Sequence, residues 1–156
     1  MGRTGTRGAV SGSTGITVEL GISWGNRMLD ARSHKHCQDI HPDLLEVVEL
    51  ADELCEAEGI DFIITDGCRT LEEQKAFVAA GKSRTMKSRH LGGFAIDYVA
   101  LVNGRVTYDL VAMGRVAACF KRAAAKRRIP VNWGGDWKTF KDTPHIELCK
   151  ERYPDA

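Results

Sequence analysis

The segment "HPDLLEVVELADELCEAEG", residues 41–59, limits the fold more than any other stretch of the chain. Leu44, Val47, Val48, Ala51, Leu54 and Cys55 recur at helical spacing and form one apolar stripe. Pro42 suits a first helical position and Gly59 a stop, so the spacing predicts a single helix between them. A helix with one apolar face must bury it against a second layer. The residues that follow supply that layer. "DFIITDG" (61–67) reads as a short buried strand ended by a turn. "TLEEQKAFVAAG" reads as a helix, with Thr70 and Glu73 as a capping box and Gly81 as its stop. "GFAIDYVALVNGRVTYDL" reads as a hairpin turning at Asn103-Gly104. A third helix is predicted over 110–128, with basic residues in its last turn and Pro130 beyond. "VNWGGDW" then gives a short strand and a glycine loop, and "PHIELC" a last short strand. This order predicts an α+β fold: a small, mainly antiparallel sheet with helices packed on it.

A chain of 156 residues has room for one domain with one core. Residues 1–17 are mostly Gly, Ser and Thr, a composition that buries too little surface to offset ordering, and a flexible lead is expected there. The domain is expected over 18–156, with its motif-bearing core in 41–148; 18–40 either wraps over it or forms a short helix near "GNRMLDAR". A formal net charge of +1 points to neither nucleic acid nor an anionic membrane. No apolar run approaches the roughly 20 residues of a membrane span. The first residues, "MGRTGTRGAVSGSTG", lack an apolar signal region, so synthesis in the cytoplasm is expected. The five cysteines, Cys37, Cys55, Cys68, Cys119 and Cys149, are odd in number and form no CxxC pair. That argues against both a disulfide framework and a thiolate zinc knuckle, and leaves buried or partly buried free thiols.

The chemistry concentrates in two places. "SRHLGGFAID" separates His90 from Asp97 by a Gly92-Gly93 corner. On one regular strand the two would face opposite sides. The glycines let the chain bend, so a loop His90 and a strand Asp97 can converge on one object such as a metal ion. Taken alone, the pair reads equally as a loop histidine and a strand-edge aspartate with no shared task. "FKDTPHIEL" supplies a third candidate. Pro144 holds Thr143 extended, so Asp142 and His145 do not share a helix face. His145 opens a strand whose Ile146 and Leu148 can enter the core, which sends His145 to a cleft with Asp142 beside it. Two histidines, one carboxylate and an open position make a catalytic zinc set, and a second, unbound carboxylate is the general base that such a hydrolase needs. A rival cluster, His34, His36, Cys37 and His41 in "SHKHCQDIH", has neither a base nor a glycine corner, and an exposed polar loop is expected there.

These residues resemble a family of phage endolysins, the zinc peptidases of the L-alanyl-D-glutamate peptidase and D-alanyl-D-alanine carboxypeptidase type, whose fold group includes the hedgehog signalling domain. The family signature S-x-H-x-x-G-x-A-x-D is matched by Ser88, His90, Gly93, Ala95 and Asp97, and the late D-x-x-H by Asp142 and His145 after "WGGDW". "GCRTLEEQKAFVAAGKSRTMKSRH" is similar to the block upstream of the signature. The resemblance implies Zn2+ held by His90, Asp97 and His145, with Asp142 as the base that activates water. It implies that Arg69 faces the substrate, stabilising the carbonyl oxygen or pairing with a peptide carboxylate, unless it is spent on a surface ion pair with Glu72. Ser83 and Ser88 would line the cleft, Trp133 and Trp137 wall it or pack in the core, and Gln74 face outward or brace Arg69. The implied function is hydrolysis of peptidoglycan stem peptides, most simply at L-Ala–D-Glu, by a monomeric lysis enzyme that reaches the cell wall after release. D-Ala-D-Ala cleavage by the same site, and a zinc-containing wall-binding module without catalysis, remain alternatives.

Overall fold

The computed structural model describes residues 31–155. The expected lead over 1–17, and any element over 18–30, lie outside the described residues. Four helices are described, α1 Ala31–His36, α2 Pro42–Ala57, α3 Leu71–Ala79 and α4 Leu110–Arg127. The strands are β1 Asp61–Asp66, β2 Ala95–Val102, β3 Arg105–Thr107, β4 Val131–Trp133 and β5 His145–Leu148. All pairings are antiparallel, in the order β1-β2-β5-β4, and β3 joins β2 beyond the end of β5. The α+β expectation therefore holds.

Each element forms where its local chemistry directs. Pro42 opens α2, and the ring of His41 caps it by accepting the Asp43 N–H at 3.0 Å. Thr70 and Glu73 form the expected capping box at α3. Asn103 and Gly104 both take positive φ, +53° and +77°, the backbone of a tight hairpin turn. The apolar stripes of α2 and α4 pack on each other and on the sheet. Phe62, Tyr98 and Phe120 meet at the centre, with ring centroids 5.1–6.4 Å apart. Tyr98 keeps its hydroxyl satisfied there by donating to the Met113 carbonyl at 2.8 Å.

The segment around His34 departs from expectation. It is not an exposed loop: residues 31–36 are helical, and Cys37 and Ile40 are buried. Ser33 explains why this short helix docks, since its Oγ accepts the Ile64 N–H of β1 at 2.8 Å. Gly67 permits the close approach, because a Cβ there would lie 1.9 Å from the His36 carbonyl oxygen. On a helix, residues two apart do not face each other, so His34 and His36 do not share a face.

Candidate metal centre

The sheet register builds the site. Asp97 of β2 pairs with His145 of β5 on one side and Asp66 of β1 on the other, so their side chains leave the same face. An irregularity between Ile64 and Asp66 in β1 brings Asp66 into that row. Ile146 and Leu148 alternate with His145 and enter the core, as their spacing predicted. His90 arrives on a single 3-10 turn, Arg89–Gly92, which Gly93 closes at φ +74°. A Cβ on Gly93 would also crowd the backbone of Asp39 and Ile40, so the corner requires glycine for space as well as conformation. The Arg69 N–H donates to the His90 carbonyl at 2.8 Å and ties the two motif loops together.

His90, Asp97 and His145 converge. Their potential ligand atoms lie within 4.8 Å of one another. The His90 Nδ1–H donates to the Gly67 carbonyl at 2.8 Å, and the His145 Nε2–H donates to Glu147 at 2.8 Å. Both ring protons therefore point away from the centre. In the neutral rings that leaves lone pairs on His90 Nε2 and His145 Nδ1, which face Asp97 Oδ1 at 3.4 Å each. That oxygen is buried and has no hydrogen-bond partner. A buried carboxylate oxygen with two nitrogen lone pairs turned toward it fits a divalent cation, and the donor set suits Zn2+. Electrostatics point the same way. Burial works against the Asp97 charge, but the His145 and His90 imidazoles outweigh it and hold the carboxyl well below the usual range. Burial also opposes protonation of His145, yet Asp97 and Glu147 lift that ring to about 9. Both shifts arise from attraction between the carboxylate and the imidazoles across the centre, the same attraction a cation placed there would satisfy.

The cluster opens into a cleft of about 780 Å³. Asp142 lines it, as do Arg69, Ser83 and Ser88. Partial burial, and then the Asp97 charge, raise the Asp142 pKa, an environment suited to accepting a proton. Backbone contacts fix its loop: the Asp142 N–H donates to the Gly134 carbonyl, and its own carbonyl accepts the His145 N–H, both at 3.0 Å. Gly134 cannot carry a side chain without conflict, since a Cβ would sit 2.2 Å from the Asp142 carbonyl oxygen. Gly134→Ala is thus expected to destabilise the fold by about 1–3 kcal/mol, the usual range for overpacking. An unchanged urea midpoint would show that the loop yields freely.

Arg69 does not pair with Glu72. Its Nε and Nη2 donate to Asp66 Oδ2, at 3.1 and 2.5 Å, and Nη1 donates to Gln74 at 2.7 Å. The guanidinium also stacks on Phe77, 4.1 Å from the ring centroid, and stands 3.9 Å from Asp97 Oδ2. Gln74 is fully buried and braces Arg69 instead of facing out. Its Nε2 donates to Ser83 Oγ at 2.9 Å, which makes Ser83 part of the same scaffold. Ser88 caps the turn that carries His90. Of the two places open to Trp133, cleft wall or core, it takes the core, and it does not line the cleft as a substrate contact would. It belongs to the core cluster, where its Nε1–H donates to the Thr143 carbonyl at 2.7 Å. Trp137 walls the cleft, with its ring 5.3 Å from that of His145. Sequence reasoning missed Asp66, Gly67 and Glu147. Only Glu147 left a signal, because alternation puts it on the strand face of His145.

Two histidines and a carboxylate around one point, with a second carboxylate on the same cleft, define a metal-dependent hydrolase layout. Residues 25–149 match the family model for phage L-alanyl-D-glutamate peptidase, and the chain belongs to that family. It is 35% identical over 98 residues to the L-alanyl-D-glutamate peptidase of Listeria phage A118, an alignment covering 63% of this chain and 34% of that protein. The crystal structure of the Serratia marcescens L-Ala D-Glu endopeptidase ChiX superposes with a TM-score of 0.73 at 39% identity, over 80% of this chain and 92% of ChiX. A similarity of fold alone extends to the vancomycin-resistance D,D-pentapeptidase VanY, solved with Zn(II), at 15% identity and a TM-score of 0.50 over 70% of this chain and 72% of that one. No described helix is long and apolar enough to cross a membrane.

Proposed function

We propose that the chain is a zinc endopeptidase that cuts peptidoglycan stem peptides between L-Ala and D-Glu, acting as a monomer on the bacterial wall after release from the cell that makes it. The observation that carries this reading is the pairing of His90 Nδ1 with the Gly67 carbonyl and of His145 Nε2 with Glu147, which leaves His90 Nε2 and His145 Nδ1 to face the orphaned Asp97 oxygen beside Asp142. His90 Nε2, Asp97 and His145 Nδ1 would hold the ion. Bound there, zinc would polarise the scissile carbonyl and make water acidic enough to attack near neutral pH. Asp142 takes the proton from the attacking water and returns it to the departing amine. Arg69 still has N–H groups free of Asp66 and Gln74, and these hold the developing negative charge or a neighbouring peptide carboxylate. Lys82, Arg84, Lys87 and Lys141 also line the cleft and have no ion-pair partner among the described residues. A positive rim of this kind suits the carboxylate-rich stem peptide.

Digestion of purified muropeptides, followed by mass identification of the new ends, tests the bond. Free L-Ala carboxyl and D-Glu amino ends are expected. Release of terminal D-Ala would move the assignment to D-Ala-D-Ala chemistry, and no cleavage in the zinc-loaded protein would favour a wall-binding module. A second result separates water from thiol as nucleophile. Cys37, Cys55 and Cys119 are buried, and neither exposed Cys68 nor half-buried Cys149 lines the cleft. Partial desolvation, reinforced by nearby carboxylates such as Asp39, raises the Cys68 pKa and makes it a poor nucleophile. Alkylation of accessible thiols should spare lysis while a chelator abolishes it. The reverse pattern would remove zinc from the reaction.

A further inference from the structure

Behind His145 lies a chain of charges, buried at Glu147 and Arg89 and reaching the surface at Asp155, that the reaction itself does not use. Glu147, two residues along β5, takes the His145 Nε2–H on Oε1 at 2.8 Å. Its other oxygen lies 3.6 Å from Arg89 Nε. Arg89 is only 5% exposed, and its guanidinium sits 4.5 Å over the Phe94 ring. It donates through Nη2 to the Leu148 carbonyl at 2.8 Å and through Nη1 to Asp155 Oδ1 at 2.7 Å. Arg89 is the neighbour of His90, so this one side chain braces the strand that carries one candidate ligand from the turn that carries the other.

We propose that Glu147, ion-paired with an Arg89 that Asp155 anchors, is the positioning residue that fixes His145 as an Nδ1 ligand. The inference rests on the zinc reading above. An imidazole can coordinate through either nitrogen, and the choice is set by the hydrogen bond that the other nitrogen makes. Here a buried carboxylate accepts the hydrogen bond from Nε2–H and leaves Nδ1 to face Asp97 Oδ1. Glu147 shares a strand face with His145, and the Arg89 guanidinium faces its far oxygen as an ion pair at 3.6 Å, longer than a hydrogen bond. Asp155 anchors Arg89 from the C-terminal segment, 66 residues away in sequence. The C-terminal residues thereby take part in the geometry of the metal centre without touching it.

The test is zinc affinity, measured by competition with a chromogenic chelator, together with ring ¹⁵N NMR of His145 in zinc-loaded protein. In the wild type the ring proton should sit on Nε2 and the metal on Nδ1. A wild type with zinc on Nε2 overturns the proposal without any variant, whereas a wild type that binds no zinc overturns the zinc reading beneath it. Glu147→Ala should weaken zinc binding by about 10–100-fold, as removal of an outer hydrogen-bond partner does. Glu147→Gln offers an amide oxygen to the same N–H, so it should recover much of that loss and keep the Nε2–H pattern, a rescue that a merely structural role would not give. Asp155→Ala alters a half-exposed anchor and should produce a smaller loss in the same direction. Circular dichroism of the zinc-free variants checks folding. A folded Glu147→Ala with wild-type affinity and an unchanged ring pattern overturns the proposal. If the alanine variant does not fold, Glu147→Gln decides: loss of the Nε2–H pattern with unchanged zinc affinity is the overturning result.

Discussion

His145→Ala is expected to abolish stoichiometric zinc binding. Three protein ligands hold a catalytic zinc, and losing one leaves two and an enlarged opening to water. Loss of an outer partner costs about 10–100-fold in affinity, and loss of a ligand should cost more than that. Two features make His145 the informative ligand. It pairs in register with Asp97, so its removal breaks the contact on which the cluster is built. Its neighbours Ile146 and Leu148 remain to hold β5 in the core, so the fold should persist. Metal analysis after gel filtration, beside circular dichroism, gives the result. A folded variant with full occupancy would refute the ligand assignment. Replacing His34 and His36 should leave occupancy unchanged, because the helix that carries them does not bring them onto one face. Zinc lost only in that second variant would move the site to α1.

The parts of this molecule that sequence exposes are those fixed by local rules. Pro42, the Thr70–Glu73 box and Asn103-Gly104 each act within a few residues, and all lie where spacing put them. The three candidate ligands were legible because two short motifs carry them, and strand alternation around Ile146 gave the direction of His145. What stayed hidden depends on pairing between distant segments. Arg69 looked available to Glu72, its neighbour in the next helix, but the irregularity in β1 turns Asp66 toward it. Gly67 contributes only a carbonyl to His90, and no residue type encodes that service. Trp133 and Trp137 are alike in sequence context. Which one meets the cleft was decided by β4, which pairs Trp133 with Ile146 and turns it into the core. The α1 segment misled because its histidines looked solvated. Its burial comes from Ser33 and Cys37, which carry little hydropathy signal at such short length.

Asp142→Asn divides catalysis from metal binding, and the two should part cleanly. Asparagine preserves size and polarity but cannot take a proton from water. Loss of a positioned general base typically costs on the order of 10²–10⁴-fold in rate. The fold has little reason to respond, since the loop is held by backbone contacts to Gly134 and His145 that the substitution leaves in place. Zinc content should also hold, because the candidate ligand atoms come from three other residues. The substitution does remove one negative charge beside the centre, which takes away some attraction for a cation, so a modest loss of affinity short of lost stoichiometric occupancy is the expected side effect. Turbidity loss of purified cell walls is to be measured beside zinc content for both proteins. Full zinc with lysis near the wild-type rate would remove Asp142 from the mechanism and leave the proton to another group on the cleft. Full zinc with lysis down by the expected factor assigns it the proton transfer. Zinc lost along with activity would make Asp142 a ligand, and the open position for water would then have to be found elsewhere in the coordination shell.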